Sequence, residues 1–155
     1  MRRHHVPCFA ATGAGIAAVK RELSLTPELD SVSKLADTVA EVSADDDWTP
    51  DLEYKVALAV EEIGMNIVSY AGLSNDQAIQ VTIDSTPESV TVVFSDPGPA
   101  FNPFVDAPAP DLEASVADRR IGGLGVHLVE TLMDMVSYDR GSGRNNLTMV
   151  ANRAK

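Results

Sequence analysis

The chain alternates between stretches of period 3.6 and stretches of period 2, and the order of those stretches predicts most of a fold. Leu23 and Leu25 alternate with polar residues over Arg21–Leu25, a short strand. Leu29, Val32, Leu35, Ala36 and Val39 then recur at helical spacing to about Val42. Thr26-Pro27-Glu28 reads as the opening of that helix: a hydroxyl cap, a proline in the first position and an acid in the first turn. Asp45–Asp47 with Trp48 reads as a solvated acidic turn anchored by one aromatic. Thr49-Pro50-Asp51 opens a second helix running to about Tyr70, with Gly72 as its stop. Its buried stripe is Leu52, Val56, Ala59, Val60, Ile63 and Ile67.

Two alternating runs follow, Ile79/Val81/Ile83 and Val90/Val92/Phe94, joined by a turn over Ser85–Glu88. From Asp96 to Ile121 no period is sustained, and a loop of that length in a compact domain is usually functional or disordered. A third helix begins near Gly122 and runs to about Met133. Met135–Arg140 and Asn146–Val150 close the chain as a hairpin across Gly141-Ser142-Gly143. Helices combined with hairpins in this order predict an α+β two-layer sandwich, not a doubly wound sheet.

At 155 residues the chain has the length of one domain. Hydrophobic residues make up 45% and charged residues 23%, a globular composition. Lys and Arg number 12 against 23 Asp and Glu, for a net charge of −11. So acidic a surface repels phosphate backbones and excludes a broad nucleic-acid face. It remains compatible with an anionic ligand held locally by backbone amides and a metal. Cys8 stands alone, so neither an internal disulfide nor a cysteine zinc site is available. No apolar run approaches a membrane span. Residues 1–19 read as a loose amino-terminal arm of a cytoplasmic protein, because Pro7 and the glycines interrupt any signal-peptide core.

Three segments carry candidate chemistry. Glu62 and Asn66 stand four apart, on one face of the second helix and beside its apolar stripe. Placed there, both cost desolvation unless something satisfies them. The Asn oxygen suits a magnesium ion that keeps most of its waters and bridges phosphates. Glu62, one turn away, is placed to accept a proton from an attacking hydroxyl. The second segment, Asp96-Pro97-Gly98-Pro99-Ala100-Phe101, directly follows a strand; its carboxylate is able to accept from an exocyclic amine. The third, Gly122-Gly123-Leu124-Gly125-Val126, heads the third helix, where free amides and glycines make an anion site. A Gly-x-Gly match alone means little, since 10 glycines in this length predict roughly 0.6 by chance. The segment also fits neither a Walker A loop nor a Rossmann fingerprint.

In this order, the Glu-x-x-x-Asn helix, the strand-end Asp-x-Gly-x-x-Phe and the Gly-Gly-Leu-Gly helix start resemble the GHKL (Bergerat) ATP-binding fold. The nearest likeness is to the anti-sigma factor serine/threonine kinase family, carried by GGLGVHLVETLMD, Tyr-Asp-Arg and GRNNLTM across Arg120–Met149. It covers roughly Lys20–Arg153, making residues 20–155 a histidine kinase-like ATP-binding domain. The resemblance implies a mixed, mostly antiparallel sheet covered on one face by three helices. It implies ATP and Mg2+ as cofactors, with Asn66 holding the metal and Glu62 the general base for a protein serine hydroxyl. It implies that Asp96 meets the adenine amino group, supported by Gly98 and by Thr148 on the last strand, with Ala100 and Phe101 in the same site. Gly122, Gly123, Leu124, Gly125 and the amide of Val126 would hold the phosphates beneath a lid of residues 102–121.

Arg119 or Arg120 would reach the γ-phosphate, or else both form a solvated pair beside Asp118. Implied partners are an anti-anti-sigma protein and a sigma factor. Homodimerisation is left open. This chain has Ser69-Tyr70 where many relatives carry a basic residue or His. It has no phosphoacceptor helical hairpin, and His4, His5 and His127 read as non-catalytic. The rival function is a switch that binds ATP and sequesters a partner without transferring phosphate; labelled ATP and the partner would separate the two.

Overall fold

The computed structural model describes residues 18–107 and 123–153. The predicted arm up to residue 17, the greater part of the predicted lid, Gly122 and the Arg119/Arg120 pair lie outside the described residues, while Val19, expected in the arm, already belongs to the first strand. Strand β1 (Val19–Leu25) leads into helix α1 (Leu29–Asp45) and helix α2 (Pro50–Tyr70). The hairpin of β2 (Ile79–Ser85) and β3 (Ser89–Asp96) follows, then a four-residue helix α3 (Pro103–Asp106). Helix α4 (Gly123–Leu132) precedes the closing hairpin, β4 (Met135–Gly141) and β5 (Arg144–Asn152).

The sheet order is β1-β2-β3-β5-β4. All four pairings are antiparallel, so the mixed sheet expected from the resemblance is antiparallel throughout its described strands. The α+β two-layer architecture is as expected. The crossover through α4 delivers β4 to the sheet edge, and β5 then returns between β4 and β3. That return sets Asp96 opposite Asn145.

Alternation puts Ile79, Val81 and Ile83, Val90, Val92 and Phe94, and Leu147, Met149 and Ala151 on the buried face. Val32, Leu35, Val39 and Val42 from α1, Val56, Val60, Ile63 and Ile67 from α2, and Val126, Val129 and Met133 beyond them form one core with these strands. Each such aliphatic side chain contributes about 1.5–3 kcal/mol when fully removed from water. Helices α1 and α2 close on each other at Gly64, where a β-carbon would come 3.0 Å from Leu35 Cδ1. The β4–β5 turn is two residues, Ser142 and Gly143, both at positive φ (55° and 73°), the geometry that matches the twist of a hairpin.

Local signals failed at three places. Thr49 caps α2 as expected, accepting from Leu52 N at 3.2 Å. Thr26 does not cap α1: the N-cap is Glu28, without a side-chain bond, and the Thr26 hydroxyl pairs instead with Ser31. Helix α3 was not anticipated, although Asn102-Pro103 carries the same cap chemistry; the Asn102 side chain accepts from Phe104 N at 3.1 Å. The Asp45–Asp47 turn is not wholly solvated. Asp46 is buried, its Oδ2 accepting from the Ser85 hydroxyl and from Arg153 Nη1 at 2.7 Å, while Trp48 Nε1 donates to Ser85 Oγ at 2.9 Å.

Candidate functional site

Two of the three predicted segments meet through α2. Its one-turn spacing puts Glu62 and Asn66 on adjacent steps of the helix, near where α4 packs against it. Asn66 is buried, and its Nδ2 donates to Glu62 O at 2.9 Å, which fixes the plane of the amide. With the nitrogen committed to the helix backbone, the oxygen is the atom that would ligate a cation.

Among the described residues no group of three or more His, Cys, Asp or Glu is placed to hold a metal ion. The neutral oxygen of the Asn66 amide is a donor of the hard kind that suits magnesium, which sheds its waters reluctantly.

Glu62 is half-buried. Burial first, and the neighbouring charge of Glu61 second, push its carboxyl above the usual value of 4.5. Both effects disfavour the anion, and both make the anion a better proton acceptor once it forms. The carboxylate lies directly against the head of α4: a β-carbon on Gly125 would fall 1.8 Å from Glu62 Oε2 and 2.5 Å from its Cδ. Glycine at 125 therefore lets the acid lie against α4 in this position; a β-carbon would make the carboxylate withdraw. Gly123 begins α4, with Leu124 in its first turn. Val126 turns its side chain into the core and His127 is exposed.

The strand-end segment is built from the other side. Asp96 ends β3 on the buried face, at 2% exposure. Its Oδ1 accepts from Gly98 N at 2.9 Å and from Asn145 Nδ2 at 3.0 Å. Gly98 is confined too: a β-carbon there would meet Leu73 Cδ2 at 2.4 Å, so the loop beyond α2 and the loop beyond β3 touch at this point. Ala100 is exposed. Phe101 is drawn into the core, with its backbone N–H donating to Asn145 Oδ1 at 3.0 Å.

Thr148 does not reach this cluster. It pairs with Val93, and residues opposite one another point the same way, so it lies on the sheet face away from Asp96. The β5 residue that does reach Asp96 is Asn145, which sequence reasoning passed over. Arg140 Nη1 adds a bond to Gly98 O at 2.6 Å, again from the closing hairpin. The one available signal was polarity: Asn145 interrupts the buried alternation Leu147/Met149/Ala151 of β5 with an amide.

The model of the histidine kinase-like ATPase domain family matches residues 25–151 of the chain. The serine/threonine-protein kinase BtrW of Bordetella bronchiseptica is 34% identical over 110 residues, which span 70% of this chain and 77% of that one. Among solved structures, the crystal structure of the RsbU and RsbW domains of a Mycobacterium tuberculosis protein aligns with a TM-score of 0.64 at 13% identity. That alignment covers 88% of this chain but only 33% of the other, and at such identity the likeness is one of fold.

Proposed function

The chain belongs to the histidine kinase-like ATPase domain family, and on that premise we propose that it is an ATP- and Mg2+-dependent protein serine/threonine kinase of the anti-sigma type. Its substrate would be a serine or threonine hydroxyl on an anti-anti-sigma partner. In its alternative partner state it would hold a sigma factor, and so regulate transcription, in the cytoplasm. Among the described residues no helix is long and apolar enough to cross a membrane.

The observation that carries this reading is the apposition of the Glu62 carboxylate and Gly125 at the head of α4, one helical turn from Asn66. In this reading Glu62 would supply the base, Asn66 the cation ligand and the first turn of α4 the amides. Phosphoryl transfer asks for little more than such positioning and charge neutralisation. Asn66 would hold the magnesium ion, which supplies neutralising charge to the phosphate oxygens when bound. Gly123, Leu124 and Gly125, with the amide of Val126, would hold the phosphates from α4. Asp96 would accept from the adenine amino group.

Glu62 would take the proton of the partner's hydroxyl as the new oxygen–phosphorus bond forms. The bond from the γ-phosphorus to its bridging oxygen breaks in the same displacement, and ADP leaves. The raised carboxyl of Glu62 suits this task, since a stronger base draws the proton more readily.

The test is Glu62→Gln, which keeps the shape and removes the base. It should bind ATP as the parent does while losing transfer of labelled phosphate to the partner. Full transfer by this variant would exclude Glu62 as the base. Association with the partner that depends on nucleotide but leaves no label, in the parent protein, would replace the kinase with an ATP-responsive switch.

A further inference from the structure

We infer that Asn145 is the positioning residue that orients Asp96, and that it thereby sets the site's choice between a purine with an amino group at position 6 and one with a carbonyl there. This rests on the proposal that Asp96 meets the base.

The register pairs Asp96 with Asn145 across β3 and β5, so both side chains rise from neighbouring strands on the helix-covered face. Asn145 is buried, at 3% exposure. A carboxamide has two N–H donors and two acceptor lone pairs. Here all four are used. The nitrogen donates to Asp96 Oδ1 at 3.0 Å and to Pro99 O at 2.7 Å. The oxygen accepts from Phe101 N at 3.0 Å and from the Tyr138 hydroxyl. With no capacity left over, Asn145 has nothing to offer a ligand, and its work is done through Asp96 and the loop.

That work has a direction. Asp96 Oδ1 receives two N–H groups from the protein, Gly98 N and Asn145 Nδ2, so Oδ2 is the oxygen left to face a ligand. An ionised carboxylate only accepts, so its ligand must donate. A 6-amino group does; a 6-carbonyl presents an oxygen to an oxygen and is rejected. The same amide ties down the backbone at Pro99 and Phe101, while Arg140 holds Gly98 O, so the loop and its carboxylate are held as one piece.

No similar residue substitutes fully. Aspartate has no donor and would set a second negative charge against Asp96. Leucine fills the space but leaves Pro99 O, Phe101 N and the Tyr138 hydroxyl without this partner, and Asp96 Oδ1 with Gly98 N alone. Serine supplies one donor where two are needed.

The experiment compares ATP with inosine triphosphate, which has the same sugar and phosphates and differs in carrying a carbonyl at position 6 and, with it, a hydrogen on N1. Dissociation constants for both are measured on the full chain as parent, Asn145→Ala, Asn145→Ser and Tyr138→Phe, with a thermal melt of each. The parent should favour ATP. Asn145→Ala should weaken ATP at least tenfold and inosine triphosphate less than threefold, so that the ratio collapses. Asn145→Ser should fall between, and it reads the same ratio where the alanine variant does not fold. Tyr138→Phe, which removes only the outermost bond, should keep the parental ratio. Equal losses for both nucleotides in the Asn145 variants would reduce this residue to a structural one and overturn the inference, leaving ATP binding intact. A parent that binds neither nucleotide would overturn the ATP reading along with it.

Discussion

Replacing Gly125 by alanine tests the core of the proposed site with the smallest available change. The added methyl would sit 1.8 Å from Glu62 Oε2, 2.5 Å from Cδ and 3.1 Å from Cγ. Comfortable non-bonded contact needs roughly 3.5 Å, so the carboxylate must withdraw by about 1.5 Å. Glutamate has the torsional freedom to do this, at about 0.5–1.5 kcal/mol for a side chain pushed off its rotamer. Alanine in place of a helical glycine returns about 0.5–1 kcal/mol through reduced backbone entropy. The two effects nearly cancel, so the variant should melt within about 1 kcal/mol of the parent.

Catalysis should not be spared in the same way. Displacing a reacting group by about 1 Å costs on the order of 100-fold in rate. Labelled phosphate transfer to the partner under single-turnover conditions should therefore fall about 100-fold, while ATP affinity changes less than threefold. The methyl points at Glu62, not at the helix-start amides. A variant that transfers at the parental rate would show that the position of Glu62 does not matter. A variant that loses ATP binding together with transfer would show that Gly125 serves the phosphates alone.

Two further predictions can be read directly. Glu62 has its carboxyl raised above 4.5, so between that value and its folded value the native chain holds a proton that the unfolded chain has released. Stability should consequently fall as pH rises through that window, and transfer should rise as the base is freed. Thermal melts across pH should show that slope in the parent and its loss in Glu62→Gln; an identical slope in both would refute the assignment. Arg153→Ala should cost about 3 kcal/mol in urea unfolding, because it strands the buried Asp46 carboxylate. ATP affinity should not change, since this cluster lies by the β2–β3 turn at the opposite end of β3 from Asp96. A loss below about 1 kcal/mol would mean that the pair adds little.

By itself the sequence determined what depends on neighbours along the chain. Period 3.6 and the Thr49-Pro50 cap defined α2, and the four-residue step between Glu62 and Asn66 followed at once, because a helix turns every 3.6 residues wherever it sits. Period 2 marked the strands and the side each residue shares with its own kind. It says nothing about the phase of one strand against another. Whether Asn145 or Thr148 faces Asp96 depends on a register between strands 49 residues apart in sequence, and a slip of one residue would reverse the answer. The return of β5 between β3 and β4 settled it in favour of Asn145.

Asp46 makes the same point from the other end of the molecule. Flanked by two acids, it reads as a solvated turn, and only tertiary folding brings Arg153 to it across 107 residues of chain. The fit of Glu62 against Gly125 is likewise a property of how α2 and α4 pack. Short-range sterics and hydrogen bonding act within a few residues, whereas the contacts that orient these polar groups form only when distant segments share one core.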